Sequence, residues 1–403
     1  MSFCDAVGYK NKKNAIQAIR LYLYRVVGLF SFFDLRHPNF YASLRICYEF
    51  YKVKVYICIG FTDMNIKKTI KDWMLPIAMV TGASIYLLYH LMPAPVHKAG
   101  PYLAGFVSIL QPLLIFLMLF LTFCRIEPKD LKPHRWHWWL LLIQGGIFTM
   151  MGFAIVLIGR IWPNVGPDAK VLIESAMLCM ICPTATAAAV VTRKLGGDVA
   201  GITTYIVLIN ILAAILVPLI VPLIQPMGGM DFWDAFSLIL AKVLPLLILP
   251  CFCAWLVRYL MPRVHQKLLL WQDLPFNIWV VALVLAIAVT TKAVVKSEMA
   301  WWLLAAMSGI SLVCCIFQFA AGRHVGVQYK PRRSDVNPDV EARGRAVRQV
   351  TAGQSLGQKN TVFAIWMGYT FMTPETAIVG GLYSIWHNIY NSWQLYRAGK
   401  HSK

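Results

Sequence analysis

Charge is what this chain has least of. Only 14% of its 403 residues are Asp, Glu, Lys or Arg, against 59% hydrophobic. Soluble domains carry about 25% charged residues, so a soluble globular protein is excluded. Acid is scarcer than base, with 18 Asp and Glu against 38 Lys and Arg, a net charge of +20. Nucleic acid does not follow as a partner, because membrane proteins gather Lys and Arg in cytoplasmic loops and become basic by that route. Walker A, GxGxxG opening a helix, HExxH and GxSxG are all missing, which argues against ATP-driven pumps and the common enzyme classes. No pair of acidic or nucleophilic groups converges on one apolar run, so the chain is not expected to be an enzyme. The ten cysteines form no disulfide framework. Cys251 and Cys253, and the Cys314-Cys315 pair, lack metal or redox spacing, and in apolar runs a thiol is a small hydrophobe. Cys179 and Cys182, close to Pro183, are the two that invite a role.

What is present instead is a series of nearly uncharged windows of roughly 20 residues, long enough to cross a bilayer as helices. Ten spans are read at 74–92, 103–124, 138–160, 170–192, 200–225, 235–260, 274–294, 301–321, 352–371 and 374–396. The intervening loops sort by charge. Lys67, Lys68 and Lys71, then Arg125 to Arg135, Arg193 and Lys194, Arg263 and Lys267, the Arg323–Arg348 loop and Arg397 to Lys403 share one side. The other side has little beyond Lys98, Lys170 and Lys296. The positive-inside rule then places both termini in the cytoplasm. Ten spans divide as five and five, and an odd half enters the membrane from the opposite side, giving an inverted repeat. Residues 322–350, with Pro331, Pro338 and Gly344, are expected as a flexible basic cytoplasmic link, and 398–403 as a cytoplasmic tail. Trp136-His137-Trp138-Trp139 and Trp301-Trp302 read as interfacial aromatic belts. Residues 1–63 are dense in Lys, Arg and Tyr, and their best apolar run is broken by Arg20 and Arg25. They are expected either to precede a native start at Met64, which an intact mass would decide, or to form a basic arm on the membrane surface.

Two polar interruptions fall in corresponding places of the two halves, which is the sequence pointer to a transporter's binding site. The first is Cys182-Pro183-Thr184-Ala185-Thr186-Ala187-Ala188-Ala189. Proline removes a helix donor, the small side chains let another backbone approach, and a half-helix starting after the break aims its positive end at the bilayer centre, suiting an anionic group. The plain alternative is a proline kink serving packing. The second is Gly353-Gln354-Ser355-Leu356-Gly357-Gln358-Lys359-Asn360. An ammonium there is expensive and marks a pathway, pair or coupling site. The alternative is that Lys359 snorkels to the interface. Against this, Thr361–Phe371 holds only eleven residues, about half a span, so the segment before Lys359 must enter the membrane too. Gln144, Glu174, Asn210, Lys242, Glu375, His387 and Asn388 are weaker intramembrane signals, read first as interhelical glue. His387 could also relay protons.

The residues Cys182-Pro183-x-x-Thr186-Ala187-x-x-Val190-x-Thr192, followed by Gly197-Asp198-Val199-Ala200, resemble the fourth-helix crossover of the bile acid:sodium symporter family. Ser355-Leu356-Gly357-Gln358-Lys359-Asn360 is similar to its ninth-helix ExGxQN motif, and Pro374 through Ser392 to its tenth helix. The resemblance covers about residues 70–397. It implies a panel domain of spans 1, 2, 6 and 7 and a core domain of spans 3–5 and 8–10, with helices four and nine broken and crossing in the core. It implies carriage of bile acids or smaller organic anions, commonly with two sodium ions. The sodium ligands it would assign fall on Ala188 and Ala189, near Ile202 and Ile206, and on Ser355 and Lys359; only Gln144 in the third helix matches. Methyl groups and an ammonium do not serve a hard cation. The Lys359 ammonium is therefore expected to stand where sodium stood, holding the broken helices together electrostatically. Kept protonated, it gives sodium-independent transport. Cycling, it gives proton coupling, because a lysine out of water readily releases its proton.

The expectation is an all-α polytopic membrane protein of ten helices, acting as a monomeric secondary transporter by alternating access in a bacterial-type inner membrane. The substrate is an organic anion, bile acid-like or a small carboxylate, with no cofactor and no sodium coupling. Pro183, Thr184, Thr186, Ala188, Ala189, Gly357, Gln358 and Asn360 are expected at the substrate crossover, and Lys359, Ser355 and Gln144 in coupling. Two rivals stand beside this reading: an arsenite-type permease of similar fold with Cys179 or Cys182 as soft ligand, and a binding protein or sensor that has lost transport.

Overall fold

A computed structural model of the protein describes residues 74–93, 98–162, 166–225, 229–271, 274–328 and 338–401. Among these the regular structure is helical apart from a single isolated bridge. In chain order, α1 is Met74–His90, α2 Gly100–Phe123, α3 Arg135–Ile161, α4 Pro167–Ile181, α5 Ala187–Lys194 and α6 Val199–Ile224. Next come α7 Phe232–Leu247, α8 Leu249–Leu260, α9 Pro262–Leu270 and α10 Leu274–Lys296. The remainder are α11 Trp301–Gln328, α12 Pro338–Gly357, α13 Thr361–Phe371 and α14 Pro374–His401. All lie in one compact unit, Trp73–Lys403. The expectation for residues 1–63 falls outside the described residues.

The helix starts follow local chemistry. Pro101 and Pro167 sit in the first turns of α2 and α4, where a missing N–H costs nothing. Asp198 caps α6 by accepting from Ala200 N at 3.0 Å, and Asp231 caps α7 by accepting from Asp234 N at 2.8 Å. Among the described residues, α2, α3, α6, α7 with α8, α10 and α11 are long and apolar enough to cross a membrane, and α13 is a shorter apolar helix. Large apolar side chains such as Leu142, Met150, Phe153 and Leu157 on α3 are exposed. An exposed apolar surface of this extent suits lipid and not water.

Several boundaries differ from the sequence reading. The span expected at 235–260 is broken at Ile248, because Pro250 has no N–H to return to the preceding turn. The link expected at 322–350 is helical over most of its described length: α11 runs on to Gln328, and α12 begins at Pro338 and continues unbroken into the second interruption. Pro338 there starts a helix, where its ring is tolerated. Likewise α14 carries the expected tail as helix to His401. The aromatic belt divides. Trp138, Trp139, Trp301 and Trp302 are exposed, whereas Trp136 and His137 turn inward. His137 Nε2 bonds to Gly201 O at 2.9 Å, and Trp136 packs with Tyr205, Leu140 and Leu356.

Around the site, α4 packs against α3, α11 and α14, while α12 lies along α11. Glycine sets how close that last pair comes. A methyl on Gly322 would land on the Ala352 carbonyl and on Gly353, one on Gly326 on the Arg348 carbonyl, and one on Gly357 on the Phe319 ring. Two glycine pairs spaced four apart, Gly322 with Gly326 and Gly353 with Gly357, thus occupy the contact between the helices, the arrangement that lets membrane helices touch at the backbone.

Candidate functional site

The two interruptions are breaks in helix, and they meet. Residues 182–186 separate α4 from α5, and 358–360 separate α12 from α13. The strands of chain in the breaks run antiparallel, pairing Thr184 with Lys359. Ala185 N donates to Gln358 O at 3.1 Å and Asn360 N donates to Pro183 O at 2.8 Å. Freed backbone groups inside a membrane protein must find partners, and here each break supplies them to the other. Pro183 fits because its nitrogen has no hydrogen to satisfy while its carbonyl accepts.

Side chains complete the crossing. Thr184 Oγ1 donates to Ser355 O at 2.5 Å, and Cys182 Sγ to Asn360 O at 2.8 Å. Asn360 Oδ1 caps α13 by accepting from Phe363 N at 3.2 Å. Gly357 O, at the end of α12, accepts from Tyr383 Oη at 2.8 Å. Gln111 on α2 reaches Val362 O with Nε2 at 3.1 Å.

Gln144 acts as the interhelical glue that its place in a span suggests, rather than in the coupling role that the resemblance implies. Its Nε2 donates to Ile181 O at 3.3 Å and Cys182 O at 3.0 Å, and its Oε1 accepts from Tyr205 Oη at 2.9 Å. The amide closes the frayed end of α4 and has little left for an ion. Gln144→Leu would strand two carbonyls and a phenol, each costing about 1–3 kcal/mol when buried. We expect a loss of roughly 3 kcal/mol or more, read as a fall in melting temperature in detergent, and a smaller loss for Gln144→Glu.

Lys359 does not snorkel. Its side chain is 1% exposed and among the largest that are fully buried. Nζ donates to Met180 O at 3.4 Å, in the last turn of α4, where the helix dipole is negative. Among the described residues no carboxylate lies within 4.0 Å of it. With Cys179, Cys182 and Tyr383 it lines a narrow crevice.

The positions that the resemblance gives to sodium do not suit it. Ala188, Ala189 and Ile202 pack as one apolar cluster with Val199, and Ile206 is buried in the main core. Ser355 Oγ is buried without a protein partner, yet one hydroxyl is far from the several oxygens a hard cation takes. Gln358 is likewise buried with both amide atoms unpartnered.

On one side of the crossing lies a cavity of about 80 Å³. Thr186 and Ala189 border it from the first break and α5, Arg193 from the end of α5, Arg125 from beyond α2, and Trp279 from α10. Arg125 Nη2 donates to Trp271 O at 2.9 Å.

A family model, the SBF-like CPA transporter family, matches residues 73–396. The chain belongs to this family. No curated protein shows a significant match to it. The match runs from the residue before α1 almost to the end of α14, so both breaks lie within the SBF-like region. Together, family and apolar helices make the chain a multi-pass membrane protein of a transporter family.

Of the weaker sequence signals, Glu174 is buried in a set of bonds, from Gln225 Nε2 at 2.8 Å and Thr376 Oγ1 at 3.0 Å, with Lys170 Nζ at 3.6 Å. Lys242 sits 5.7 Å from the Phe371 ring centre. Tyr205, Gln318 and Tyr383 escaped the sequence reading. Tyr383 had a signal: it stands four residues before His387, on the same helix face.

Proposed function

We propose that this SBF-like protein is a secondary transporter of an organic anion, bile acid-like or a small carboxylate, working by alternating access without sodium. One observation carries the reading: two broken helices pair through their breaks around a buried lysine that has no carboxylate partner among the described residues. The apolar cluster at Ala188, Ala189 and Ile202 supports sodium independence, and Lys359 supplies a positive charge in the sodium ion's place. Arg125 and Arg193 at the cavity rim, with the amino end of α5 next to it, suit a negative substrate group. The charge asymmetry of the loops supports ten spans in two inverted halves, both termini cytoplasmic, in a bacterial-type inner membrane. Lys359 has two modes open to it, a fixed cation or a carrier of the coupling proton.

The test is uptake of a panel of bile acids and small carboxylates into proteoliposomes, with sodium or choline outside and at two pH values. Uptake of at least one anion is expected, unchanged when choline replaces sodium. A requirement for a sodium gradient overturns the sodium-independent reading, and anion binding without flux overturns transport.

A further inference from the structure

The seam between α14 and the α11–α12 pair is lined by polar side chains. Tyr383, His387, Asn391 and Gln394 fall on one face of α14, and all four are buried, none more than 7% exposed. The opposite face, with Ile389, Trp393 and Tyr396, is exposed and lipid-like. Buried polar side chains of this kind are costly inside a membrane protein and mark pathways.

The row is connected at both ends. At the crossing, Tyr383 lines the same crevice as Lys359, accepts from Gln318 Nε2 at 3.1 Å and donates to Gly357 O. His387 follows, its ring centre 5.7 Å from that of Tyr383. Asn391 Oδ1 accepts from Gln354 Nε2 of α12 at 3.0 Å. At the far end Gln394 Oε1 accepts from Arg323 Nη2 of α11 at 2.9 Å, and Arg323 is half-buried.

These side chains are only half used. His387 Nδ1, Asn391 Nδ2, Gln394 Nε2, Gln354 Oε1 and Gln318 Oε1 are all buried without a protein partner. Helix-to-helix glue would pair its atoms with one another. Native proteins leave few buried polar atoms unpaired, and such groups usually hold ordered water. Five of them along one seam, donors interspersed with acceptors, form a template for a file of water.

We infer that this seam is a hydrated file through which Lys359 exchanges protons with water at the Arg323 end of α14. The inference rests on the proton-carrying mode of the proposed function. The crevice beside Lys359 is closed to water in this structure; once the transport cycle opens it, the ammonium loses a proton to the nearest water of the file and is left as a neutral amine. Successive waters and His387 pass the positive charge on, the amides orienting the waters, and bulk water receives it; loading reverses the steps. The titratable groups around Lys359 are the thiols of Cys179 and Cys182 from α4 and of Cys314 and Cys315 from α11, with the Tyr383 phenol from α14. The thiols and phenol are neutral at ordinary pH, so the ammonium has no fixed anion to hold its proton. The Arg323 guanidinium disfavours metal cations at the mouth while water supplies the proton by exchange.

Two measurements on the full chain in liposomes test this. First, Asn391→Cys and Gln394→Cys, made in a chain with Cys4, Cys47, Cys58 and Cys253 replaced by Ser, are treated with a small membrane-impermeant anionic methanethiosulfonate. Both are expected to react from the Arg323 side, Gln394→Cys faster, whereas Ile389→Cys and the serine-substituted background do not. Silence at both positions in folded protein means a dry seam and overturns the file. Second, proton movement during anion uptake is followed in Asn391→Leu. Proton flux is expected to fall by about tenfold or more, with anion exchange at equal concentrations preserved. A coupled parent whose Asn391→Leu variant keeps full proton flux overturns the file alone. A parent that takes up anion and moves no proton overturns the coupling mode and the file's role with it.

Discussion

Lys359→Met folds at least as well as the parent and loses almost all of its transport. Two magnitudes decide the first half of that expectation. A charge taken out of water costs several kcal/mol even after relaxation. What Lys359 gains in return is one long contact to Met180 O and the negative end of α4, worth about 2 kcal/mol at best. The ammonium is thus a net burden on the fold, and a methionine of similar length removes it while filling the space. The crossing itself survives, because backbone bonds between Ala185 and Gln358 and between Asn360 and Pro183 hold it. The electrostatic tie expected from the sequence is therefore the smaller part of what joins the two breaks. The melting temperature should stay level or rise, and uptake should fall on the order of 100-fold, the equivalent of about 2.8 kcal/mol. Uptake at the parent's level removes any coupling role from Lys359, and an unfolded variant makes the ammonium a structural tie after all.

Gly322→Leu should give no folded protein. Position 322 faces the Ala352 carbonyl and the Gly353 Cα, backbone that has nowhere to go. Overfilling a packed interior by even a small group costs about 1–3 kcal/mol, so Gly322→Ala is expected to lie in that range and the branched side chain beyond it. Gly309 on the same helix faces open space, with no atom within 4 Å of where a methyl would stand, and Gly309→Leu should behave as the parent. Size-exclusion profiles in detergent compare the three. A monodisperse Gly322→Leu would mean that α11 and α12 do not depend on close approach.

The helices and breaks were legible because apolar runs and their interruptions are written locally. The spans expected at 274–294 and 301–321 coincide with the starts of α10 and α11, and the two interruptions fall where helix stops. Partnership was less legible. That Thr184 faces Lys359 depends on segments distant in sequence, and a single chain carries no record of that contact. Gln144 is open to both readings, glue from the residues and a coupling role from the resemblance, because a lone amide in a span looks the same whether it holds a cation or two carbonyls. The link at 322–350 differs because its charges suggest loop, whereas Arg343 and Arg345 lie on an exposed face of α12 and Arg348 turns back to pair with Glu341.

The mutual pairing of the breaks also bears on how the molecule is made. Cys182 and Asn360 lie 178 residues apart. At roughly 5–20 residues per second, synthesis of the intervening chain takes roughly 9 to 36 s. Through that interval the carbonyl of Pro183 and the thiol and amide groups beside it have no partner of their own, so the newborn first half must wait in the bilayer with its fourth span unfinished. A chain truncated before Asn360 keeps those groups open for good, so the second half completes the first as well as itself.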